Sequence, residues 1–279
     1  MAALPSSKKE VLILGPGGIK GFYILGSIWY FETVNKDFDI YCGVSVGSLI
    51  AILKIIGCPI DQIIKSAKET IDEIIADPKV VLKDILTGKG LLPNYLIIEQ
   101  VNEILIRKYG KVLTFREIKE KTGKELVIVA SNLSQSRAQY FSISESPDLE
   151  VTVAASLSIN IPIIFQRASY QGDIYIDGNL SDPYPIEYFI KQNIKVTIIS
   201  IECQACLDGM LGYLMNSIDL FVKITRRKLI EQYQDCCHII ISTDKIVFDK
   251  IFPDEKEIEK MLSIGFLKTK QVFNIKEQQ

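Results

Sequence analysis

Short apolar runs alternate with amphipathic stretches along most of this chain. Runs rich in valine, isoleucine and leucine, typical of buried strands, cover residues 11–14, 40–43, 125–130, 139–143, 172–176, 196–202 and 239–242. Apolar residues recur at helical spacing over residues 21–32, 48–57, 61–76, 94–109, 115–121, 151–159, 185–192, 207–233 and 254–273. Strands that alternate with helices form a mainly parallel sheet covered by helices, so we predict an α/β three-layer sandwich.

A few residues predict where helices begin and end. Asn94 is a typical N-terminal cap for the helix that follows it. Gly57 followed by Pro59 ends an earlier helix, and Gly265 predicts a break in the last one. No repeat, low-complexity tract or change of composition marks an internal boundary. We therefore expect a single domain over residues 1–279.

The composition excludes some classes of protein. A hydrophobic fraction of 48% and a charged fraction of 24% are typical of a globular chain and exclude a disordered or fibrous one. The 32 basic and 34 acidic side chains give a net charge of −2, so no overall field attracts nucleic acid or an anionic membrane. We expect no nucleic-acid partner, and we expect any membrane contact to be local and largely apolar.

The N-terminus and the longest apolar stretch indicate where in the cell we expect the protein. Residues 1–10 lack the apolar segment of about 7–15 residues that a secretory signal contains. The longest apolar stretch, residues 44–60, is interrupted by Lys54 and is shorter than the roughly 20 residues that span a bilayer. We expect a soluble cytoplasmic protein, with peripheral membrane contact as an open alternative.

The cysteines offer a structural and a metal-binding interpretation. The chain has six of them: Cys42, Cys58, Cys203, Cys206, Cys236 and Cys237. In a long chain without an export signal, we expect reduced and mostly buried thiols. Zinc binding through Cys203, Cys206 and the Cys236-Cys237-His238 segment is the alternative, but adjacent cysteines in a strand point to opposite faces. We favour the structural role and expect no metal or cofactor.

A glycine cluster lies between the first predicted strand and the first helix. Four of the seven residues from Gly15 to Gly21 are glycines. Backbone N–H groups at such a junction lack intrahelical partners and can converge on an anion. A dinucleotide-binding fingerprint needs a glycine where Lys20 stands, which makes a nucleotide-binding oxidoreductase a distant alternative. We favour a loop that approaches a ligand or a reacting oxyanion over a plain tight turn.

The pentapeptide Gly43-Val44-Ser45-Val46-Gly47 joins a predicted strand to a predicted helix. A G-x-S-x-G turn in this position exposes a nucleophilic serine, and the tight turn requires small flanking residues. Such a serine normally needs a histidine as its base. The one histidine, His238, lies far along the chain beside Cys237, so either another group takes the proton or Ser45 is not a nucleophile.

Asp177 and Gly178 follow the predicted strand at residues 172–176. We expect this aspartate at the carboxyl end of a parallel strand, where ligands bind in open α/β sheets. There it can meet Ser45 and accept its proton, provided that partial burial raises its basicity. The alternative is an aspartate that only stabilises a turn.

These three segments, in this order, resemble the motifs of the patatin-like phospholipase family. Residues 14–21 are similar to its G-G-G-x-[KR]-G oxyanion loop, residues 43–47 to its G-x-S-x-G elbow, and Asp177-Gly178 to its D-G-[GA] motif. The resemblance covers roughly residues 9–200, so residues 201–279 are expected to add C-terminal helical and strand elements to the core.

The resemblance implies a lipid acyl hydrolase of the phospholipase A or lysophospholipase type. That family uses a serine-aspartate dyad without histidine, which implies Ser45 as nucleophile and Asp177 as base. The N–H groups of Gly17, Gly18 and Ile19 would form the oxyanion hole, and the substrate would be a phospholipid or another fatty-acyl ester.

Two positions depart from the family pattern. Pro16 replaces the first glycine of the loop and removes one N–H donor, and Asn179 replaces the small third residue of D-G-[GA]. A catalytically inactive member that binds lipid or a protein partner is therefore the alternative function.

The helical pattern at residues 207–233 is amphipathic and basic. Its predicted apolar face consists of Leu207, Met210, Leu211, Leu214, Ile218, Phe221, Val222, Thr225 and Leu229. The basic residues Lys223, Arg226, Arg227 and Lys228 lie nearby. Such a helix can lie on a membrane surface, although packing against the sheet is the interpretation that we favour.

Overall fold

A sheet of eight strands forms the centre of the described part of the chain. The computed structural model of the protein describes residues 8–76, 94–162, 164–203, 209–244 and 253–276. The strands are β1 (Glu10–Leu14), β2 (Ile40–Val44), β3 (Glu125–Asn132), β4 (Arg137–Ser142), β5 (Ala168–Tyr170), β6 (Asp173–Ile176), β7 (Lys195–Cys203) and β8 (Cys237–Asp244). Their order across the sheet is β5-β6-β3-β2-β1-β7-β8, and β4 also pairs with β3.

The five strands from β3 to β8 in this order are parallel to their neighbours, whereas β4, β5 and β6 pair in antiparallel fashion. The helices are α1 (Phe22–Thr33), α2 (Val46–Ile55), α3 (Ile60–Ala76), α4 (Tyr95–Tyr109), α5 (Phe115–Thr122), α6 (Val151–Ser158), α7 (Ile186–Ile190), α8 (Gly209–Tyr233) and α9 (Glu255–Lys276). Single 3₁₀ turns occupy Gly18–Gly21 and Gly178–Leu180.

Alternate side chains of the buried strands point to opposite faces of the sheet. In β1, Leu12 and Leu14 pack into a core that includes residues of α1 and α2. Val11 and Ile13 pack into a second core that includes residues of α7. Burial on both faces explains why these strands read as continuous apolar runs. The predicted α/β fold, with helices flanking a mainly parallel sheet, is confirmed.

The parallel core brings the ends of two strands together at one edge of the sheet. Leu14 at the end of β1 lies opposite Gly43 in β2, so the glycine cluster and the serine turn leave the sheet side by side. Val44 lies opposite Val129 of β3. This edge carries the candidate site.

The strand before Asp177 runs in the opposite direction to the one predicted. β6 is antiparallel to β3, with Ile176 opposite Ser131, so the expectation of a parallel strand is wrong. Asp177 nevertheless reaches the same edge, because the chain turns there beside the end of β3. The apolar pattern did not predict β5, which pairs with β6, because the three residues of β5 are exposed or only partly buried and carry too little hydrophobic signal.

The last helix is continuous through Gly265, so the predicted break is wrong. A Cβ atom at Gly265 would lie 2.1 Å from the carbonyl oxygen of Tyr23, and one at Gly26 would lie 2.1 Å from that of Leu262. The two glycines allow α1 and α9 to approach closely. Phe266 of α9 packs beside this contact on Trp29, with ring centroids 5.1 Å apart. Gly265 therefore serves packing between two helices.

Two other expectations need correction. Asn94 precedes α4 as predicted, but its side chain makes no capping hydrogen bond and instead donates from Nδ2 to the carbonyl oxygen of Ser156 at 3.0 Å. The predicted apolar face of α8 is divided, because Val222 is buried whereas Leu214 and Phe221 are exposed. Leu207 lies outside the described residues, and the side chains of Met210 and Leu211 are not described.

Within the described ranges, no helix combines the length and the apolar character needed to cross a membrane.

Candidate active site

Ser45 lies at the turn between β2 and α2 and has an unusual backbone conformation. Its φ is 56° and its ψ is −133°, a region that non-glycine residues rarely adopt. Its N–H donates to Ser158 Oγ at 2.9 Å, and the Ser158 hydroxyl donates to the carbonyl oxygen of Val129 at 2.6 Å. The Ser45 carbonyl oxygen accepts from the N–H of Ser48 at 2.8 Å. These bonds hold the strained residue in one conformation.

The glycines of this turn are required by close backbone approach. A Cβ atom at Gly43 would lie 2.3 Å from the Cα of Ser48, and one at Gly47 would lie 2.0 Å from the carbonyl oxygen of Leu14. The turn thus presses against its own helix and against β1. A different steric contact therefore requires glycine at each of the two positions.

Asp177 is bonded directly to Ser45. The Ser45 hydroxyl donates to Asp177 Oδ2 at 2.7 Å, although the two residues are 132 positions apart. The other carboxylate oxygen accepts from the N–H of Asn179 at 2.9 Å. The backbone of Asp177 donates to the carbonyl oxygen of Asn160 at 2.9 Å and accepts from the hydroxyl of Ser131 at 2.7 Å. Both the backbone and the carboxylate of Asp177 are therefore fixed.

Burial changes the proton affinity of this carboxylate. Asp177 is 3% exposed, and its pKa is raised overall from 3.8 to about 6, with desolvation by burial as the largest cause. The hydrogen bonds from Ser45 and Asn179 and the positive charge of Arg226 act in the opposite direction and lower the pKa. The balance gives a carboxylate that is ionised at neutral pH and more basic than an exposed aspartate.

The glycine loop faces the same cavity as Ser45. The N–H of Gly15 donates to the carbonyl oxygen of Ile199 at 3.1 Å, and the N–H of Lys20 donates to that of Gly17 at 3.0 Å. Gly18 has a φ of 51°, which favours glycine. Among the described residues, the N–H groups at positions 17–19 donate to no backbone carbonyl oxygen, because they lie just before and at the start of a 3₁₀ turn.

A cavity of about 560 Å³ connects these residues. Ser45, Asp177 and the loop from Pro16 to Gly21 line one part of it. The rest extends between α1, α2, α3 and α4 and is lined largely by apolar side chains: Leu25, Leu49, Ile50, Leu53, Ile63, Ala67, Ile71, Ile97 and Val101. The site thus joins a serine-carboxylate pair to an apolar chamber.

Three residues at this site were not among the candidate site residues predicted from the sequence. Ser158 supports the N–H of Ser45, Asn160 accepts from the backbone of Asp177, and Arg226 of α8 lines the cavity. Arg226 belongs to the basic cluster of α8, but its position in the cavity depends on how α8 packs. The other two have no sequence signal of their own, because their roles depend on distant contacts.

His238 and the described cysteines lie outside the lining of this cavity. His238 is on β8 and stacks on Phe273 of α9, with ring centroids 5.3 Å apart. Cys42 and Cys58 are buried free thiols, as expected for a structural role. Cys206 lies outside the described residues, and among the described side chains no group of three or more potential ligands is arranged to hold a metal ion.

Comparison with known proteins identifies relatives in sequence and in fold. The family model described as patatin-like phospholipase matches residues 12–190. The chain is 30% identical over 188 residues to "Probable lipid hydrolase 463L" of Invertebrate iridescent virus 6. The aligned region covers 67% of this chain and 65% of the viral protein. The chain thus spans less than two thirds of that relative.

Solved structures share the fold at low sequence identity. VipD from Legionella pneumophila superposes with a TM-score of 0.59 at 16% identity, covering 96% of this chain and 67% of VipD. The type III effector protein ExoU of Pseudomonas aeruginosa superposes with a TM-score of 0.57 at 13% identity, covering 98% of this chain and 54% of ExoU. Because the family model matches more than half of the sequence, this chain belongs to the patatin-like phospholipase family of lipid hydrolases.

Proposed function

We propose that this protein is a lipid acyl hydrolase of the phospholipase A or lysophospholipase type, a carboxylic-ester hydrolase with a Ser45–Asp177 dyad. The observation that carries the proposal is the 2.7 Å hydrogen bond from the Ser45 hydroxyl to a buried carboxylate, at the wall of an apolar cavity. A strained serine beside a base of raised pKa fits an activated nucleophile.

In the first half of the reaction, Asp177 takes the proton of Ser45 while Oγ attacks the ester carbonyl carbon. The tetrahedral intermediate then collapses, the bond from carbon to the leaving oxygen breaks, and protonated Asp177 returns the proton to the departing alcohol. An acyl-Ser45 ester remains. A base is most effective when its pKa lies near the working pH, and a pKa of about 6 meets that condition better than 3.8.

The negative charge of the intermediate develops on the former carbonyl oxygen. We assign the oxyanion hole to the N–H groups of Gly17, Gly18 and Ile19, which begin a helical turn and line the cavity beside Ser45. Pro16 has no N–H and contributes none. Removal of one such donor reduces the rate by about 10²–10³-fold in well-studied hydrolases.

In the second half, Asp177 accepts a proton from water, and the resulting hydroxide attacks the acyl carbon. Ser45 leaves as the alcohol after it regains the proton from Asp177, and the fatty acid is released. The cycle needs no metal or cofactor.

The shape of the cavity supports a fatty-acyl substrate. Leu53 lies at the cavity wall eight residues beyond Ser45, which corresponds to about 12 Å along the axis of α2. Each methylene group that leaves water for such a chamber contributes about 0.8 kcal/mol. We propose that the acyl chain occupies this chamber while the head group stays toward α8.

We also propose a peripheral membrane contact through the outer side of α8. Tyr213 and Phe221 are 70% and 72% exposed, and Leu220 and Ile224 lie on the same outer side. Monomeric proteins rarely expose so many large apolar side chains together. The inner side of α8, including Val222, lines the cavity, so this contact would place the cavity against the lipid. The net charge of −2 gives no support for a nucleic-acid partner.

We further propose that residues 1–279 form one patatin-like domain, with the cytoplasm as its compartment. The motif-bearing core covers about residues 9–200. Support comes from the C-terminal elements, because β8 extends the sheet beside β7 and α9 packs on α1.

The dyad is tested with Ser45→Ala and Asp177→Asn, with the exposed Ser169→Ala as the matched control. We expect the first two variants to lose ester hydrolysis of phospholipid and lysophospholipid by at least about 10³-fold while remaining folded, and Ser169→Ala to keep it. A fluorophosphonate probe should label native wild type at Ser45. Full hydrolysis by folded Ser45→Ala would refute the dyad, and lipid binding without hydrolysis by the wild type would identify an inactive lipid-binding module.

A further inference from the structure

Arg226 connects α8 to the turn that carries Asp177. Its Nη2 and Nε groups both donate to Asn179 Oδ1, at 2.7 and 3.2 Å. Its Nη1 group donates to the carbonyl oxygen of Ile201 at 3.4 Å. The guanidinium is thus held on β7 and clamps the Asn179 side chain from the side of α8.

Hydrogen bonds connect Asn179 in turn to Asp177 and Ser45. The N–H of Asn179 donates to one oxygen of the Asp177 carboxylate, and the Ser45 hydroxyl donates to the other. Asn179 is also the position at which the chain departs from the D-G-[GA] pattern. Glycine or alanine there offers no side-chain oxygen, so this bond to arginine depends on the departure. Hydrogen bonds from an ionised donor are stronger than neutral ones.

The cavity that Asp177 lines also carries charged groups from several elements. Within the described part of the cavity lining, these are Lys20 of the glycine loop and Asp219 and Arg226 of α8. Asp219 forms an ion pair with Lys223 at 2.5 Å. Ser131 on β3 and Asn160 after α6 contact Asp177 as neutral partners. Arg226 is the cation whose charge stabilises the ionised carboxylate.

We propose that Arg226 is a positioning residue for the hydrolytic reaction, which acts through Asn179 to hold the Asp177 carboxylate against Ser45. The inference rests on the proposed Ser45–Asp177 dyad. Arg226 has two effects that are separable by substitution: its hydrogen bonds fix the turn, and its positive charge opposes the rise in the pKa of Asp177 caused by burial. Loss of the charge therefore raises that pKa and moves the acid limb of activity to higher pH.

The experiment compares Arg226→Gln, Arg226→Lys and Asn179→Ala with Arg227→Gln as the matched control. Arg227 is the next residue of α8, and its Nε group pairs with Glu202 at 3.0 Å at the surface. For each variant, kcat and KM for a soluble fatty-acyl ester, the rate of fluorophosphonate labelling at each pH and the melting temperature are measured.

We expect Arg226→Gln to lower kcat by roughly 10–100-fold, as small displacements of catalytic groups do, with KM within about twofold of wild type. The fall in rate on the acid side of the pH profile should occur at higher pH than in the wild type, for both hydrolysis and fluorophosphonate labelling. Arg226→Lys should restore the acid limb more than kcat, because lysine keeps the charge but not the paired donors. Asn179→Ala should lower kcat with a smaller movement of the acid limb.

Three outcomes would overturn the inference. The first is an Arg226→Gln variant with the same kcat and pH profile as Arg227→Gln, and the second is an Asn179→Ala variant with wild-type kcat. The third is a double variant, Arg226→Gln with Asn179→Ala, whose loss of kcat equals the sum of the two single losses in free energy. Residues that act as one unit give non-additive effects. If Arg226→Gln does not fold, Arg226→Lys and Asn179→Ala carry the same test. Hydrolysis by folded Ser45→Ala would instead refute the proposed dyad, a separate result.

Discussion

Replacing Asp177 by asparagine should stabilise the fold while it removes activity. The Asp177 carboxylate is buried, and its pKa in the folded protein is about 6, against 3.8 for an ordinary aspartate. Folding therefore favours the protonated form. The stability that this group contributes is fully present below pH 3.8 and is lost as the pH rises through about 6.

The size of this loss follows from the change in proton affinity. One pKa unit corresponds to about 1.4 kcal/mol, so a rise from 3.8 to about 6 lowers the free energy of unfolding by about 3 kcal/mol once Asp177 is ionised. Asparagine is neutral at every pH and has a similar shape. Its oxygen can accept from the N–H of Asn179 as the carboxylate does, and its amide can donate to the Ser45 oxygen, so a hydrogen bond to Ser45 is kept with its direction reversed.

The assay is urea unfolding of wild type and Asp177→Asn at several pH values between about 4.5 and 8. We expect Asp177→Asn to be more stable by about 2–3 kcal/mol at the alkaline end, and its advantage to shrink by about 2 kcal/mol toward the acid end, because wild type regains its proton there. Ser45→Ala serves as a control that leaves Asp177 titratable.

Two results would refute this reasoning. A stability difference that does not change with pH would mean that Asp177 does not titrate in this range in the folded protein. A variant less stable than wild type at pH 8 would mean that the carboxylate is stabilised by its hydrogen bonds more than it is destabilised by burial. Hydrolysis measured in parallel should be absent from Asp177→Asn at every pH.

The other predictions concern pH, packing, the chamber and the lipid surface. Wild-type kcat/KM should fall below about pH 6 as Asp177 is protonated, which a pH profile with a soluble ester measures. Gly47→Ala should lower the free energy of unfolding by about 1–3 kcal/mol or more, because its Cβ would lie 2.0 Å from the Leu14 carbonyl oxygen. Leu53→Trp should reduce hydrolysis of long-chain esters at least about tenfold more than that of short-chain esters, since the ring fills the chamber; equal losses would contradict the chamber assignment. Phe221→Asp should weaken sedimentation with phospholipid vesicles by about tenfold or more, and unchanged binding would exclude α8 as the contact.

Local sequence patterns were sufficient to predict which residues are candidates for the reaction. The G-x-S-x-G turn, the glycine loop and Asp177 each lie in a short segment whose steric or polar requirements are visible in neighbouring residues. Gly43 and Gly47 illustrate this, because the tight turn that requires them is built from the same few residues and the adjacent strand.

Predictions were wrong where the reason for a residue or a strand direction lies in contacts with another helix or strand. Gly265 predicted a break in α9, since a glycine weakens a helix when it is considered alone. In the fold it allows close packing against Tyr23 of α1, and the helix continues. The direction of β6 could not be read from its apolar residues either, because parallel and antiparallel strands present similar short runs.

The sequence by itself determined the α/β class and the family and indicated the candidate catalytic residues, because these depend on hydrophobic periodicity and on short motifs. Only the tertiary structure decided that Asp177 meets Ser45 from an antiparallel strand and that Arg226 clamps Asn179. It alone also showed that an apolar chamber opens beside the dyad. The physical reason is that hydrogen bonds and burial depend on distance in space, and these partners lie from tens to more than a hundred residues apart in the chain.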